Sequence, residues 1–184
     1  MGFALAQELA SRGAEVVLIS GPVQLQTPIG VGTRINVMTA EQMFNAAVEQ
    51  FPSCDAAIMC AAVADYTPKN TAESKIKREN DNLTIELVQN KDIAKQLGSL
   101  KKYNQKLVGF ALETDNEREN AIGKIKKKNL DFIVLNSMND NGAGFGHDTN
   151  KIRIISKDGS EQEFELKLKT QVAKDIIDKL ADIL

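Results

Sequence analysis

The sequence predicts an α/β fold with a doubly wound, mostly parallel sheet, and three observations predict it. Short apolar runs at Glu15–Ser20, Asp55–Ala61, Leu107–Leu112 and Asp131–Leu135 lack the alternation of a half-exposed strand, as strands buried on both faces do. Helical patterns of apolar residues alternate with those runs. The length of 184 residues suits one domain, 1–184, with a core of its own.

Taken in order, residues 2–12 open the chain as a helix with Phe3, Ala6, Leu9 and Ala10 on one face and Gly13 as its left-handed cap. The run Glu15–Ser20 follows and stops at Gly21-Pro22. Arg34–Met38 reads as the next strand. Thr39-Ala-Glu-Gln42 has the form of a capping box and starts a helix through Gln50. Beyond the strand Asp55–Ala61 the chain enters a polar stretch, Tyr66 to Asn82, long enough to be expected as a mobile, functional loop. Leu83–Val88 alternates as a half-exposed strand, and Asp92–Leu100 reads as a helix. After the strand Leu107–Leu112 comes a helix from Asn116 to Lys128, with basic residues in its last turns where its dipole favours them. Lys151–Ile155 and Glu163–Leu168 flank the turn Lys157–Ser160, which predicts a hairpin. Thr170 is expected to cap a last helix burying Val172, Ala173, Ile176, Ile177 and Leu180. The result is a Rossmann-like sheet with a C-terminal β-hairpin and helix, whose ligands belong at the carboxyl ends of its strands.

Composition narrows the function. The formal net charge of −2 gives no electrostatic case for nucleic acid as a partner. No apolar stretch reaches the ~20 residues that span a bilayer, so a cytoplasmic protein is expected. Cys54 and Cys60 match no metal or redox spacing and read as reduced core thiols. His147 is the only histidine, which excludes His-based triads and multi-His metal sites.

Several segments carry candidate chemistry. In Cys60-Ala-Ala-Val-Ala-Asp-Tyr66, small residues at a strand exit let a flat ring or a phosphate approach the backbone; a tightly packed strand end fits equally. Lys75-Ile-Lys-Arg78 clusters cations in the long loop, suited to triphosphate or to a solvated surface. Asn90-Lys-Asp-Ile-Ala94 is a plain helix start, or a helix amino terminus offered to an anion. Gly142-Ala-Gly-Phe-Gly146 fails as a dinucleotide fingerprint, since the third glycine would fall on His147 and a strand follows instead of a helix.

Together, residues 60–66, Lys75-Ile-Lys-Arg78, Gln89-Asn-Lys-Asp-Ile93 and Gly109-Phe-Ala-Leu-Glu-Thr114 resemble phosphopantothenoylcysteine synthetase. Lys124, Lys128-Asn-Leu-Asp131, and Phe145 with Asp148-Thr-Asn150 extend the resemblance along the chain. In bacteria this family is commonly the carboxyl-terminal domain of a bifunctional coenzyme A biosynthesis flavoprotein. The resemblance implies a ligase that joins 4′-phosphopantothenate to L-cysteine with CTP through an acyl-cytidylate. A divalent cation such as Mg2+ and lysines would neutralise the phosphates. By position Lys75 corresponds to the family's lysine at the reacting phosphates. Asp65, Phe110, Lys124 and Lys128 correspond to its CTP ligands, with backbone at Ala61, Lys91, Asp92, Ile93 and Ala94. The resemblance further implies a homodimer and a fused or separate flavin-dependent decarboxylase; no flavin is expected on this chain.

Two departures stand out. Lys91 replaces the family's usual proline. The family opens with a strand and a glycine-rich turn ending in Ser-Gly-Lys-Met-Gly, of which Met1-Gly2 stands here. A further strand is therefore expected upstream, in the sheet between Glu15–Ser20 and Asp55–Ala61. The rival readings are a nicotinamide-dependent reductase, for which Ser20-Gly-Pro22 supplies no ribose-binding acid, and a non-catalytic nucleotide-binding module.

Overall fold

A computed structural model describes residues 1–77, 83–113, 116–137 and 147–184. The helices are α1 (Gly2–Ser11), α2 (Ala40–Gln50), α3 (Ile93–Leu100), α4 (Glu117–Lys128) and α5 (Lys169–Ala181). The strands are β1 (Val17–Ser20), β2 (Thr33–Asn36), β3 (Ala56–Met59), β4 (Tyr66–Pro68), β5 (Leu87–Gln89), β6 (Lys106–Glu113), β7 (Phe132–Ser137), β8 (Thr149–Asn150), β9 (Arg153–Ser156), β10 (Glu161–Glu163) and β11 (Lys167–Leu168).

The main sheet has five strands in the order β10-β9-β7-β6-β3. β3, β6 and β7 run parallel, and β9 and β10 return antiparallel as the expected hairpin. Successive residues of β6 and β7 feed opposite layers, as a pleated strand dictates. Leu107, Ala111, Ile133 and Leu135 meet Ile93 and Leu97 of α3 and Ala121 and Ile125 of α4. Val108, Phe132 and Val134 meet Leu5 of α1 and Val172, Ala173, Ile176, Ile177 and Leu180 of α5. Helices thus cover both faces, which makes the sheet doubly wound and explains why these strands lack alternation.

β1 and β2 form a separate parallel pair. Among the described residues β1 pairs with β2 alone and β3 with β6 alone. One edge of β1 and one edge of β3 are thus unpaired among the described residues.

Local signals account for the helix ends. Thr39 and Gln42 form the capping box, with the Gln42 N–H donating to Thr39 Oγ1 at 3.1 Å. Asp92 caps α3 by accepting from Lys95 N at 3.0 Å. Gly13 takes φ +85°, as its capping role requires.

Four expectations need correction. On α1 the buried residues are Leu5 and Ala6, while Phe3 lies beneath the Arg34 guanidinium, 5.2 Å from it. The stretch after Asp65 begins as a strand: Tyr66–Pro68 pairs antiparallel with Leu87–Gln89, so the strand read at Leu83–Val88 starts later and both sides of this ribbon are exposed. The second hairpin strand divides into β10 and β11, and β11 leaves to pair with β8. α5 begins before Thr170: Leu168 is its cap residue, and Lys169 N–H donates to Asp148 O at 2.8 Å.

Two glycines record close approaches. A Cβ on Gly98 of α3 would lie 1.9 Å from the Lys128 carbonyl oxygen, and one on Gly109 of β6 would lie 2.6 Å from a Leu130 methyl. Backbone cannot yield as a rotatable methyl can. Gly98→Ala should therefore destabilise by more than ~3 kcal/mol and Gly109→Ala by only ~1–2 kcal/mol, read from urea unfolding midpoints.

Candidate functional site

The carboxyl end of β3 runs through Cys60 to Asp65 and into β4. Asn90, just beyond β5, ties this exit to the start of α3. Its N–H donates to Asp65 O at 2.8 Å and its Nδ2 to Ala64 O at 2.8 Å. Two separate blocks, Ala61–Asp65 and Lys91–Ala94, thereby lie side by side. Each offers backbone groups: the strand exit is mostly exposed, and the α3 amino terminus has N–H groups that its own turn cannot satisfy.

The side chain of Lys128, from the last turn of α4, reaches the same place, while the helix end itself packs beside Gly98 of α3. Lys128 Nζ lies 3.1 Å from Asp92 Oδ2 at the α3 cap. Burial works against ionisation of Asp92, but the Lys95 N–H and Lys128, with Lys127 beyond, outweigh it and hold its pKa below the ordinary aspartate value. Lys124 is half-buried one turn earlier on α4, on the same side as Lys128. Phe110 of β6 is half-buried and packs in the layer of α1 and α5, facing away from α3.

Lys91 is occupied elsewhere. Its Nζ lies 3.4 Å from Glu41 and 5.0 Å from the centre of the Phe44 ring, so the side chain braces α2. That leaves its backbone for a ligand. Ile93 is likewise limited to its backbone, because its side chain is only 5% exposed in the core. Cys60 adjoins the start of α1, where burial pushes its thiol pKa up against the opposing pull of the Gly2 N–H.

The structure therefore brings the Ala61–Asp65 strand exit, Asp92, Ile93, Ala94 and the Lys128 ammonium together about the Asn90 seam, while Lys124 lies one turn before Lys128 on α4 and Phe110 lies in the opposite layer with α1 and α5. Lys75 is exposed in the segment between β4 and residue 77, and among the described residues no bond joins it to the others. Arg78, Thr114, the Gly142–Gly146 run and Phe145 lie outside the described residues. Sequence reading missed the bridging role of Asn90, because its bonds go to backbone far away in the chain. Among the described residues no group of three or more His, Cys, Asp or Glu is placed to hold a metal ion. No described helix is long and apolar enough to cross a membrane.

Comparison with known proteins adds to this geometry. The family of the DNA/pantothenate metabolism flavoprotein C-terminal domain matches residues 1–184. A cysteine/cysteine sulfinic acid decarboxylase from an unknown prokaryotic organism is 54% identical over 98% of this chain and 50% of its own length. The coenzyme A biosynthesis bifunctional protein CoaBC of Bacillus subtilis (strain 168) is 44% identical over 98% of this chain and 44% of its own. The chain thus spans about half the length of these relatives. A crystal structure of a CoaBC C-terminal domain superposes with a TM-score of 0.81 at 36% identity, covering 97% of this chain and 79% of that one.

The Lys128–Asp92 contact makes a measurable prediction. In Lys128→Met the Asp92 titration midpoint, followed by carboxyl NMR, should rise toward the ordinary aspartate value. A depressed carboxylate contributes stability that is present above its unfolded pKa and lost as pH falls through its folded pKa. Wild type should therefore lose stability more steeply than Lys128→Met on acidification through that window.

Proposed function

From the premise that this chain belongs to the DNA/pantothenate metabolism flavoprotein C-terminal domain family, we propose that it is a phosphopantothenate–cysteine ligase of coenzyme A biosynthesis. In this reading CTP is the activating substrate. The observation that carries it is the Asn90 seam, which sets two backbone blocks and Lys128 around one surface at the carboxyl end of the sheet.

The division of labour follows from charge and geometry. Backbone donors and acceptors at Ala61–Asp65 and at 91–94 would read the cytosine edge, where a wrong base leaves polar groups unmet. Lys124 and Lys128 would meet phosphate oxygens; Lys128 then exchanges the Asp92 carboxylate for phosphate. Lys75, on its exposed segment, would come to the α-phosphate as charge builds there. The 4′-phosphopantothenate carboxylate attacks the α-phosphorus and pyrophosphate departs. The cysteine amine then attacks the acyl carbon of the acyl-cytidylate, CMP leaves with the former carboxylate oxygen, and the amine proton passes to solvent. Among the described residues no carboxylate cluster forms a resident cation cradle, and Asp92 is already held by Lys95 N–H and Lys128. A divalent cation is accordingly assigned to the triphosphate as its counter-ion, with no residue named as its ligand.

The CoaBC relatives are named as bifunctional and are about twice as long, which supports a fused decarboxylase as partner. We assign the expected homodimer to the β4–β5 ribbon. A lone two-stranded ribbon is marginal in water. Tyr66, Leu83, Ile85 and Leu87 are each more than half exposed there, at 58, 66, 59 and 55%.

The test is product formation. The full-length protein, given 4′-phosphopantothenate, cysteine and either CTP or ATP, should make phosphopantothenoylcysteine and CMP with CTP at least ~10-fold faster, the scale of one lost polar contact. Release of CO2 from cysteine or cysteine sulfinate without nucleotide, and no ligation, would assign the decarboxylase activity instead. Lys75→Gln should lower kcat by ~10²-fold or more while leaving CTP affinity within a few-fold, because its charge is needed in the transition state. Unchanged turnover would remove Lys75 from the chemistry.

A further inference from the structure

Lys128 reaches the α3 cap with its side chain while its backbone lies hard against α3, and the residues around that backbone lie outside the set that would touch nucleotide. Asn129 follows Lys128 and ends α4 in the left-handed conformation, at φ +51°. Its Nδ2 donates to Gly98 O at 3.0 Å, and its Oδ1 accepts from Lys157 at 3.3 Å. Its carbonyl accepts from Lys101 Nζ at 2.7 Å, and the same ammonium bonds Asp131 Oδ2 at 2.8 Å. Asp131 Oδ2 also accepts from Leu107 N at 2.7 Å, which registers the assembly to the start of β6. The absence of a side chain on Gly98 leaves the space that the Lys128 carbonyl occupies.

We propose that Asn129, backed by the Lys101–Asp131 ion pair, is a positioning device that fixes the Lys128 ammonium at the α3 amino terminus for nucleotide binding. The nucleotide part of this rests on the ligase reading above; the placement of Lys128 does not. A lysine stem has several rotatable bonds, so its head is placed only as well as its Cα. The Cα of Lys128 is bracketed by Gly98 on one side and by Asn129 on the other. Loosening that bracket withdraws the ammonium from Asp92 and from any phosphate bound beside it. None of the bracketing groups need touch the ligand.

The informative variant is Asn129→Gly, which keeps the left-handed backbone at no steric cost and removes the ties to Gly98 and Lys157. Asn129→Asp is its companion, keeping the acceptor for Lys157 and losing the donor to Gly98. Two readouts apply, one of them free of nucleotide. In both variants the Asp92 titration midpoint should rise part of the way to that of Lys128→Met. CTP affinity should fall by about tenfold, the scale of one charge-assisted contact, with kcat nearly unchanged. In a Lys128→Met background Asn129→Gly should add nothing to the loss of CTP affinity. An unmoved Asp92 midpoint in both variants overturns the positioning role, whatever happens to CTP. A moved midpoint with unchanged CTP affinity overturns its nucleotide part. If wild type binds no CTP, the ligase reading fails, and the titration alone still decides whether Asn129 places Lys128.

Discussion

Lys101 carries its ammonium to a place where 7% of its side chain meets solvent, against an Asp131 carboxylate whose side chain is 19% exposed. Removing one partner of such a pair leaves an unmatched charge at a cost of ~3–5 kcal/mol, so the two stand or fall together. The geometry they enforce reaches well beyond the pair. Lys101 ends α3, Asp131 precedes β7, the Asn129 carbonyl closes α4, and the Leu107 N–H opens β6. Two helices and two central strands share one knot at the bottom of the sheet. The carboxyl end of the sheet, where ligands belong, inherits its alignment from that knot.

At the upper end the work is done mainly by backbone. Asn90 substitutes for a ladder of strand bonds, joining the exit of β3 to the entry of α3 with two side-by-side contacts. Among the described residues the strand exit is mostly exposed and offers peptide groups, with the Lys128 ammonium beside the α3 cap. Among the described residues β1 and β3 each have one partner strand, and both are largely half-buried.

Much of the fold was legible because burial writes itself into composition. Leu107–Leu112 and Asp131–Leu135 must be apolar on both sides of the pleat, and short unbroken apolar runs between helical patterns are what that burial produces. Thr39, Asp92 and Gly13 announce helix ends through chemistry that acts over only a few residues. Where the governing contact is distant in the chain, the sequence is silent. β8 and β11 are too short for any periodicity and exist because each finds the other. The ribbon start at Tyr66–Pro68 was hidden in a polar stretch, since neither of its sides is buried. Thr170 looked like a cap by residue type, but Asp148 draws the helix start to Lys169. The candidate site divides in the same way. Its blocks were readable as motifs, whereas the Asn90 seam, the diversion of Lys91 to Glu41 and Phe44, and the left-handed role of Asn129 are tertiary facts.

The central claim is that this surface activates a carboxylate by joining it to the α-phosphate of a nucleotide. Isotope transfer tests it most directly. The full-length protein would be supplied with CTP, cysteine and 4′-phosphopantothenate carrying 18O in its carboxylate, and the CMP released would be weighed by mass spectrometry. An acyl-cytidylate leaves one carboxylate oxygen on the α-phosphate, so the account predicts one 18O in each CMP formed. Ligation that releases CMP free of label, or that sends the label to inorganic phosphate, would contradict it.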